Sequence, residues 1–372
     1  MDFEKLKETT KMKICFLAGA NSIHSYRWIK FFADKGYEVH WISLVPNIFG
    51  NIKGVEFYRF REFPAKPLDI LFNAIPVRKL IRKINPDILH AHYAGVNGVL
   101  GALSGFHPFV LTAWGSDILI VSKNRLVKLF IKFALKKADL ITCDAEHMKE
   151  AMIELGADSS KIKIVYFGVD IRKFSPGLRD EKLIEKLKIQ NCPAIISLRN
   201  FDPIYNLETL IKSIPPVLKE VPEAKFIIAG KGSEEEELKN FAKNLKVLES
   251  IRFVGWILND ELPEYLRTAD IYVSTSLSDA GLSSCTAEAM ASGLPVVITD
   301  TGENEKWVKD DQGGYLVPIK NPEILTEKII HLLKNGSKRK EFGEVNRKTI
   351  KEKNDYYKEM AKMENLYKEL TL

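Results

Sequence analysis

The stretch that decides the fold is ADIYVSTSLSDAGLSSCTAEAMASGLPVVITD, residues 269–300. Its pattern predicts one strand at Ile271–Ser274 and a second, fully apolar strand at Pro295–Thr299. Between them we expect a loop and then a helix capped by Ser283 or Ser284. In an open parallel sheet, ligands bind beyond the carboxyl ends of the strands, where helix N-termini present N–H groups to anions. The loop is therefore the first candidate for a binding site.

Glu288 lies on the predicted helix among small and apolar neighbours, which indicates that much of this helix is buried. Burying a carboxylate is costly unless it has hydrogen-bond partners. Because helical side chains lean toward the N-terminus, Glu288 should reach back toward the loop. We interpret it as a carboxylate that accepts hydroxyl hydrogen bonds from a sugar or a ribose. A structural cap, or a buried pair with an arginine, is the alternative.

Two domains are expected, because 372 residues exceed one typical hydrophobic core. Strands alternate with helices along most of the chain, which predicts an α/β fold with doubly wound parallel sheets. We place an N-terminal domain at 1–170 and a second domain at 171–340. The remaining residues, 341–372, are predicted to be helices that brace the hinge.

Composition and motifs count against several classes of function. The net charge of +6 comes from dispersed lysines, which indicates either attraction to phosphates and anionic surfaces or a solvated surface. The 4 cysteines lack metal-ligand or disulfide spacing, and no apolar run is long enough to cross a bilayer, so a cytoplasmic protein is expected. Neither GANSIHS (19–25) nor AGKGSEEEE (229–237) satisfies GxGxxG, and no P-loop occurs, which counts against dinucleotide binding and P-loop hydrolysis.

Seven motifs then occur in a characteristic order. They are DILHAH (87–92), LTAWGSD (111–117), FGVD (167–170), SLRNFDPIYNLETLI (197–211), IIAGKGSEEEEL (227–238), RFVGWILNDELPEYLRTADIYV (252–273) and AEAMASGLPVV (287–297). Together they resemble the GT4 family of retaining glycosyltransferases, whose GT-B architecture consists of two facing Rossmann-like domains.

The resemblance implies a hexosyltransferase. Such an enzyme moves a sugar from a nucleotide diphosphate donor, linked to UDP or GDP, to a hydroxyl of a glycan, a lipid-linked glycan or a small molecule. It would do so with retention of configuration and without a metal or another cofactor, and we expect no nucleic-acid partner. Two other functions stay open, a nucleotide-sugar epimerase and an inactive carbohydrate-binding subunit.

The resemblance also makes 1–170 the acceptor-side domain and 171–340 the nucleotide-sugar-binding domain, and it assigns the donor site. Arg199 would bind the diphosphate and neutralise the charge on the leaving group, which a metal-free enzyme must do with side chains and amides. A surface arginine is the alternative. Glu288 matches the second glutamate of the family's two-glutamate motif and would bind the ribose. The remaining donor-binding candidates are loop residues that offer backbone amides, hydroxyls or charge: Gly230, Lys231, Gly232, Gly281, Leu282, Ser283 and Ser284.

Three positions depart from the family pattern. The first glutamate of the motif falls on Ala280, and the nearest acid is Asp279, one residue away. The lysine that usually follows the diphosphate-binding arginine is absent, with Tyr205 and Asn206 near its place. Trp114 replaces the usual histidine of the first domain, and an indole cannot accept a hydrogen bond as an imidazole can.

His92 and Asp117 are the catalytic candidates in the first domain. Strand alternation predicts that His90 and His92 point to the same side, and His92, near the carboxyl end of its strand, should face the cleft. A satisfied structural histidine is the alternative for His92. Asp117 either lines the sugar site or caps the segment that follows it. His24 is a weaker candidate.

The segment Lys123–Lys137 is basic and apolar. It is more typical of a helix packed on a sheet with solvated lysines, and a peripheral contact with an anionic membrane is the alternative. In the second case the protein would work at the inner face of the membrane.

Overall fold

The computed structural model describes residues 12–120, 122, 124–279 and 281–372. By its own contacts the chain divides into two compact units, Met1–Phe167 with Glu359–Leu372, and Gly168–Lys358. The domain limits expected from the sequence, and the bracing role of the C-terminal helices, stay predictions. Lys123 and Ala280, which carry two of the sequence predictions, lie outside the described residues.

The first unit is a parallel sheet covered by helices. Its strands are β1 (Lys13–Leu17), β2 (Glu38–Ser43), β3 (Val55–Arg59), β4 (Ile88–His92), β5 (Phe109–Thr112), β6 (Leu140–Cys143) and β7 (Ile162–Ile164). Its helices are α1 (Ile23–Asp34), α2 (Lys66–Ile84), α3 (Val96–Ser104), α4 (Ser116–Leu119), α5 (Arg125–Lys137) and α6 (Glu146–Glu154).

The second unit repeats this organisation. Its strands are β8 (Ala194–Ser197), β9 (Lys225–Ala229), β10 (Ile251–Gly255), β11 (Ile271–Ser274), β12 (Val296–Thr299) and β13 (Gly314–Val317). Its helices are α7 (Glu181–Leu187), α8 (Leu207–Glu220), α9 (Glu235–Asn244), α10 (Leu262–Thr268), α11 (Ser284–Ala291), α12 (Asn304–Trp307), α13 (Pro322–Lys334) and α14 (Gly336–Lys353). The last helix, α15 (Tyr356–Thr371), begins in the second unit and ends in the first.

The strand order positions the candidate sites. It is β3-β2-β1-β4-β5-β6-β7 in the first sheet and β10-β9-β8-β11-β12-β13 in the second, and the paired strands are parallel. The connections change direction between β1 and β4 and between β8 and β11. Ligand crevices open at such switch points, beyond the carboxyl ends of the strands. The predicted α/β class, with two Rossmann-like parallel sheets, is confirmed.

The deciding stretch folds as its pattern indicates. β11 and β12 are buried along their whole length and pair in register, with Tyr272 opposite Val296. The helix α11 between them is buried from Thr286 onward, because its alanines allow close packing on the sheet. Ser283 caps this helix, as one of the two predicted serines.

Pro76 lies inside α2, and the helix runs through it without a break. Proline removes one helical hydrogen bond, the one to the carbonyl of Phe72. Both residues are exposed on this helix, so water can satisfy that carbonyl.

The end of α15 is anchored in the first unit. The hydroxyl of Tyr367 lies 2.5 Å from Nδ1 of His90, and both side chains are fully buried. On the next turn, Glu364 accepts hydrogen bonds from Lys35 and, at 2.7 Å, from the Tyr37 hydroxyl. Buried polar groups need such partners, so this helix end completes the hydrogen bonding of the first sheet.

Changing Tyr367 to Phe should therefore lower the free energy of unfolding by about 1–3 kcal/mol, because His90 loses a buried partner while the packing is kept. The urea midpoint followed by circular dichroism measures this. The matched control is Tyr357→Phe in the same helix, where the tyrosine is exposed and the expected change is within about 0.5 kcal/mol. Equal effects of the two substitutions would show that the contact with His90 does not stabilise the protein.

Candidate functional site

In the second unit the candidate residues gather at the carboxyl edge of the sheet. Arg199 follows β8, the glycine loop 230–232 follows β9, and residues 275–284 connect β11 to α11. Because β8, β9 and β11 belong to one parallel sheet, these three loops meet at one edge. The sheet thus assembles residues that are far apart in the sequence.

Arg199 forms a buried ion pair with Asp279. Its Nη2 donates to Oδ1 of Asp279 at 2.5 Å, and the two side chains are 8% and 6% exposed. The guanidinium carbon also lies 4.5 Å from the centre of the Tyr205 ring. Nε of Arg199, in contrast, is buried and has no hydrogen-bond partner among the described residues. The guanidinium is therefore held from two sides with one buried donor unused.

Sequence reasoning did not find the pairing of Arg199 with Asp279. Asp279 was noted only as the acid nearest to a missing glutamate. A signal was available, because Arg199 follows β8 and Asp279 follows β11, and neighbouring parallel strands bring their following loops together. Burial raises the pKa of Asp279, and the adjacent guanidinium opposes that shift.

Glu288 lies one turn inside α11 and is 7% exposed. Cys285, on the same helix, is in the electrostatic field of Arg199, Glu288 and Asp279 together. Burial raises the pKa of its thiol to about 11; Arg199 lowers it, and the two carboxylates raise it. One cation and two carboxylates therefore surround the start of α11, as the sequence led us to expect for Arg199 and Glu288.

The loop before α11 is mostly enclosed. Gly281 and Leu282 are buried, while Ser283 and Ser284 are half-buried. The hydroxyl of Ser283 accepts from the backbone N–H of Thr286 at 3.4 Å and lies 2.8 Å from the Thr286 hydroxyl. Ser283 thus serves the helix cap, and the donor-binding role expected of these four residues stays a prediction.

The glycine loop after β9 packs on protein backbone. A Cβ at Gly230 would lie 2.5 Å from the Arg199 carbonyl oxygen, and one at Gly232 would lie 2.3 Å from that of Phe201. The sequence suggested that these glycines let the backbone approach a ligand, whereas the close approach present here is to the loop after β8, which carries Arg199. Lys231, between them, is exposed, and its carbonyl accepts from Phe201 N–H at 3.1 Å. The loop therefore fixes the backbone beneath the guanidinium.

In the first unit, His92 lies at the end of β4 and is 1% exposed. Its ring is 4.6 Å from that of His90, so the prediction that both point to one side is confirmed. Nδ1 lies 3.1 Å from the Ser25 hydroxyl, and Nε2 is buried without a partner among the described residues. Burial, followed by the nearby His24, lowers the pKa of His92 to about 3. The ring is therefore neutral at physiological pH.

His24 and Trp114 belong to an aromatic stack next to His92. The Phe167 ring lies 4.5 Å from that of His24 and 4.8 Å from that of Trp114, which it parallels within 9°. Burial, followed by Arg27, lowers the pKa of His24 to about 4. Trp114, which occupies the position of the family's histidine, thus contributes an apolar wall here.

Asp117 is fully buried and binds backbone amides. Its carboxylate accepts from the N–H groups of Ala94 at 2.7 Å, Trp114 at 3.1 Å and Ile118 at 3.1 Å. Burial raises its pKa to about 6, against the effect of these amides. Asp117 therefore ties the loop after β4 to the loop after β5; of the three amides, only that of Ile118 belongs to the segment that Asp117 was expected to cap. Its catalytic role stays a prediction.

Three further properties concern the described part of the chain. Among its described residues, no group of three or more His, Cys, Asp or Glu side chains is arranged to hold a metal ion. The described helices are all too short or too polar to span a membrane. The four cysteines are present as thiols.

Two family models match the chain. Residues 13–145 match "Glycosyl transferase 4-like", and residues 179–349 match "Glycosyl transferases group 1". The two matches fall in different structural units and do not overlap.

Similar proteins carry related names. The chain is 24% identical over 352 residues to N-acetyl-alpha-D-glucosaminyl L-malate synthase of Bacillus anthracis, covering 90% of each chain. It is 26% identical over 272 residues to the UDP-Gal:alpha-D-GlcNAc-diphosphoundecaprenol alpha-1,3-galactosyltransferase of Escherichia coli, covering 69% of each.

Solved structures share the fold. HepE of Anabaena, solved in complex with UDP, superposes with a TM-score of 0.82 at 19% identity and covers 96% of this chain and 100% of its own. Sucrose-phosphate synthase of Thermosynechococcus elongatus gives 0.83 at 16% identity and covers 97% and 99%. The model matches and the GT-B fold agree with the order of motifs in the sequence: the chain belongs to the group 1 glycosyltransferases of the GT4 type.

Proposed function

We propose that this protein is a retaining, metal-independent hexosyltransferase. It would move a sugar from a nucleotide diphosphate donor to a hydroxyl of a glycan, a lipid-linked glycan or a small molecule. The observation that carries the proposal is the Nε–H of Arg199, which is buried beside the start of α11 and has no partner within the described part of the chain. Buried donors in native proteins are nearly always satisfied, so an unused one indicates an absent acceptor.

A diphosphate suits this place. A guanidinium pairs with phosphate oxygens through several parallel N–H groups, and here only Nη2 is engaged by Asp279. The start of α11 adds the partial positive charge of a helix N-terminus, and the exposed Lys231 adds a second cation. These groups would stabilise the charge that develops on the leaving diphosphate without a metal ion.

A uridine nucleotide is the donor we would test first. The Anabaena structures contain UDP and UDP-glucose, and the Escherichia coli relative is named for UDP-Gal. For this chain we assign the ribose hydroxyls to Glu288, since a buried carboxylate accepts hydroxyl hydrogen bonds strongly.

Retention follows from the resemblance to the family. In the proposed step the bond between the anomeric carbon and the diphosphate oxygen breaks, and the acceptor oxygen bonds to the same face of the sugar. The acceptor proton passes to a diphosphate oxygen, so no side chain has to take it. His92, neutral near pH 7, would contribute a hydrogen bond from or to Nε2 rather than act as an acid. We place the reaction in the cytoplasm, where thiols stay reduced.

Changing Glu288 to Gln should weaken UDP binding about tenfold to a hundredfold, because a charge-assisted hydrogen bond to the ribose becomes a neutral one. Calorimetric titration of the full chain with UDP, and separately with GDP, measures this. Glu344→Gln, at an exposed position of α14, should leave the affinity unchanged. If the wild-type chain bound neither nucleotide, or if Glu288→Gln bound as tightly as the wild type, the assigned donor site would be wrong.

Changing Asp279 to Asn should lower the melting temperature of the ligand-free protein, since Arg199 becomes a buried charge without its counterion. UDP should then raise the melting temperature by more than it does in the wild type, because a diphosphate restores the missing negative charge. The control is Asp260→Asn, whose carboxylate is 97% exposed in its pair with Lys173. An equal or smaller UDP effect in Asp279→Asn would mean that no anion approaches Arg199.

The stability of the protein should fall as the pH drops from about 6.5, because unfolded His92 takes up a proton that the folded ring, with a pKa of about 3, does not. At about pH 5 this one histidine accounts for roughly 2 kcal/mol. Urea unfolding at about pH 7.5 and pH 5 should therefore show a smaller loss for His92→Asn than for the wild type. The exposed His331→Asn should keep the wild-type loss. An unchanged loss in His92→Asn would mean that His92 titrates normally.

A further inference from the structure

Helix α2 of the first unit exposes a row of large apolar side chains. Leu68, Leu71, Phe72 and Ile75 are between 37% and 68% exposed. At 100° per residue they share one side of the helix, opposite the side that carries the buried residues Asp69, Asn73, Val77, Ile81 and Ile84. A helix of a globular protein normally presents polar residues on that outer side, so this row is unusual.

Helix α5 has a second row of the same kind. Leu126, Leu129 and Phe130 are 71%, 64% and 44% exposed, while its buried residues are Ile131, Ala134 and Leu135. From the sequence, packing on the sheet was the favoured interpretation of the apolar residues of this helix. The structure shows that three of its large apolar residues do not pack there.

The two rows face the same way. Both α2 and α5 pack against α3, and right-handed crossovers place all three helices on one side of the first sheet. Leu103 of α3, between them, is 38% exposed. The outer sides of α2, α3 and α5 therefore form one surface, which we call the α2–α5 face.

The charge on this face has one sign. Exposed cations continue the row on α2 and flank the row on α5: Arg78, Lys79, Arg82, Lys83, Arg125, Lys128, Lys132, Lys136 and Lys137. The one acid in the sequence of the two helices, Asp69, is 1% exposed. Apolar side chains with a basic surround are typical of surfaces that lie on anionic membranes.

A basic pocket adjoins the start of α2. It has a volume of about 660 Å³ and is lined by Arg59, Arg61 and Lys66 together with apolar residues of the same loop and Glu62, which pairs with Lys66. Phe63 of its lining stacks on Phe72 at 4.9 Å, so the pocket joins the apolar row directly. Such a pocket could take the phosphate of a lipid headgroup.

We propose that the α2–α5 face docks on an anionic lipid bilayer, with its apolar side chains in the boundary between headgroups and acyl chains. A second copy of this chain is a poorer occupant, because a twofold interface would bring the cations of both copies together. The docking surface lies in the first unit alone and does not depend on the donor site. It adds α2 and the pocket to the segment 123–137 indicated by the sequence.

Flotation with vesicles tests the proposal. The full chain should float with phosphatidylcholine vesicles that contain phosphatidylglycerol, much less with phosphatidylcholine alone, and less as salt increases. The variant Leu71→Gln/Ile75→Gln in α2 and the variant Leu126→Gln/Leu129→Gln in α5 should each bind at least about tenfold more weakly. Lys128→Glu/Lys132→Glu should also reduce binding. Trp256→Gln/Leu258→Gln, at two exposed positions of the second unit, is the matched control and should bind as the wild type does.

Three results would overturn the proposal: no flotation of the wild type, equal binding to neutral vesicles, or full binding by the α2 variant. Light scattering on the same samples tests whether a second copy of this chain covers the α2–α5 face instead. If the wild type were a dimer that the α2 and α5 variants convert to monomers without a change in flotation, the face would be a subunit interface. UDP affinity, measured on every variant, should stay at the wild-type value and reports separately on the donor site.

Discussion

The candidate site of the second unit depends on the buried ion pair between Arg199 and Asp279. A buried guanidinium after β8 would strongly destabilise the fold without a counterion. Asp279, in the loop after β11, is that counterion. The glycine loop after β9 and the ring of Tyr205 fix the rest of the arginine in place. Nε of Arg199 stays buried without a partner among the described residues, and we assign a diphosphate to it.

The first unit has different side chains at its switch point. Its switch point is filled by histidines and aromatic rings rather than by charges, and desolvation keeps those histidines neutral. His90 is satisfied by Tyr367 and Thr112, whereas His92 retains one unpartnered nitrogen. A neutral, aromatic surface with few charges suits an uncharged sugar better than it suits a phosphate. The switch point of the first sheet therefore has neutral rings where that of the second has charged side chains.

The α2–α5 face is separate from the switch point of the first unit. It belongs to the helical layer, whereas the switch point lies at the carboxyl edge of the sheet. The helices α2 and α5 expose both apolar and cationic side chains on the sides that do not pack on the sheet. A chain that works on soluble acceptors has no need of such a surface. A lipid-linked acceptor would give it one, because docking brings the enzyme to the plane in which the acceptor hydroxyl lies.

The sequence by itself determined the α/β class, the repeated strand–helix alternation, the serine cap of α11 and the orientation of His90 with His92. These features depend on local periodicity and capping, which a single chain displays directly. It also singled out Arg199, Glu288 and His92, through motif order. Only the tertiary structure decided that Asp279 pairs with Arg199, that Asp117 binds three backbone amides, and that the glycines at 230 and 232 accommodate the loop that carries the arginine. Each of these contacts joins loops that follow different strands, and their meeting depends on strand order, which periodicity does not encode. The same holds for the exposed rows of α2 and α5, because a helix does not reveal from its own residues which of its sides the fold will leave uncovered.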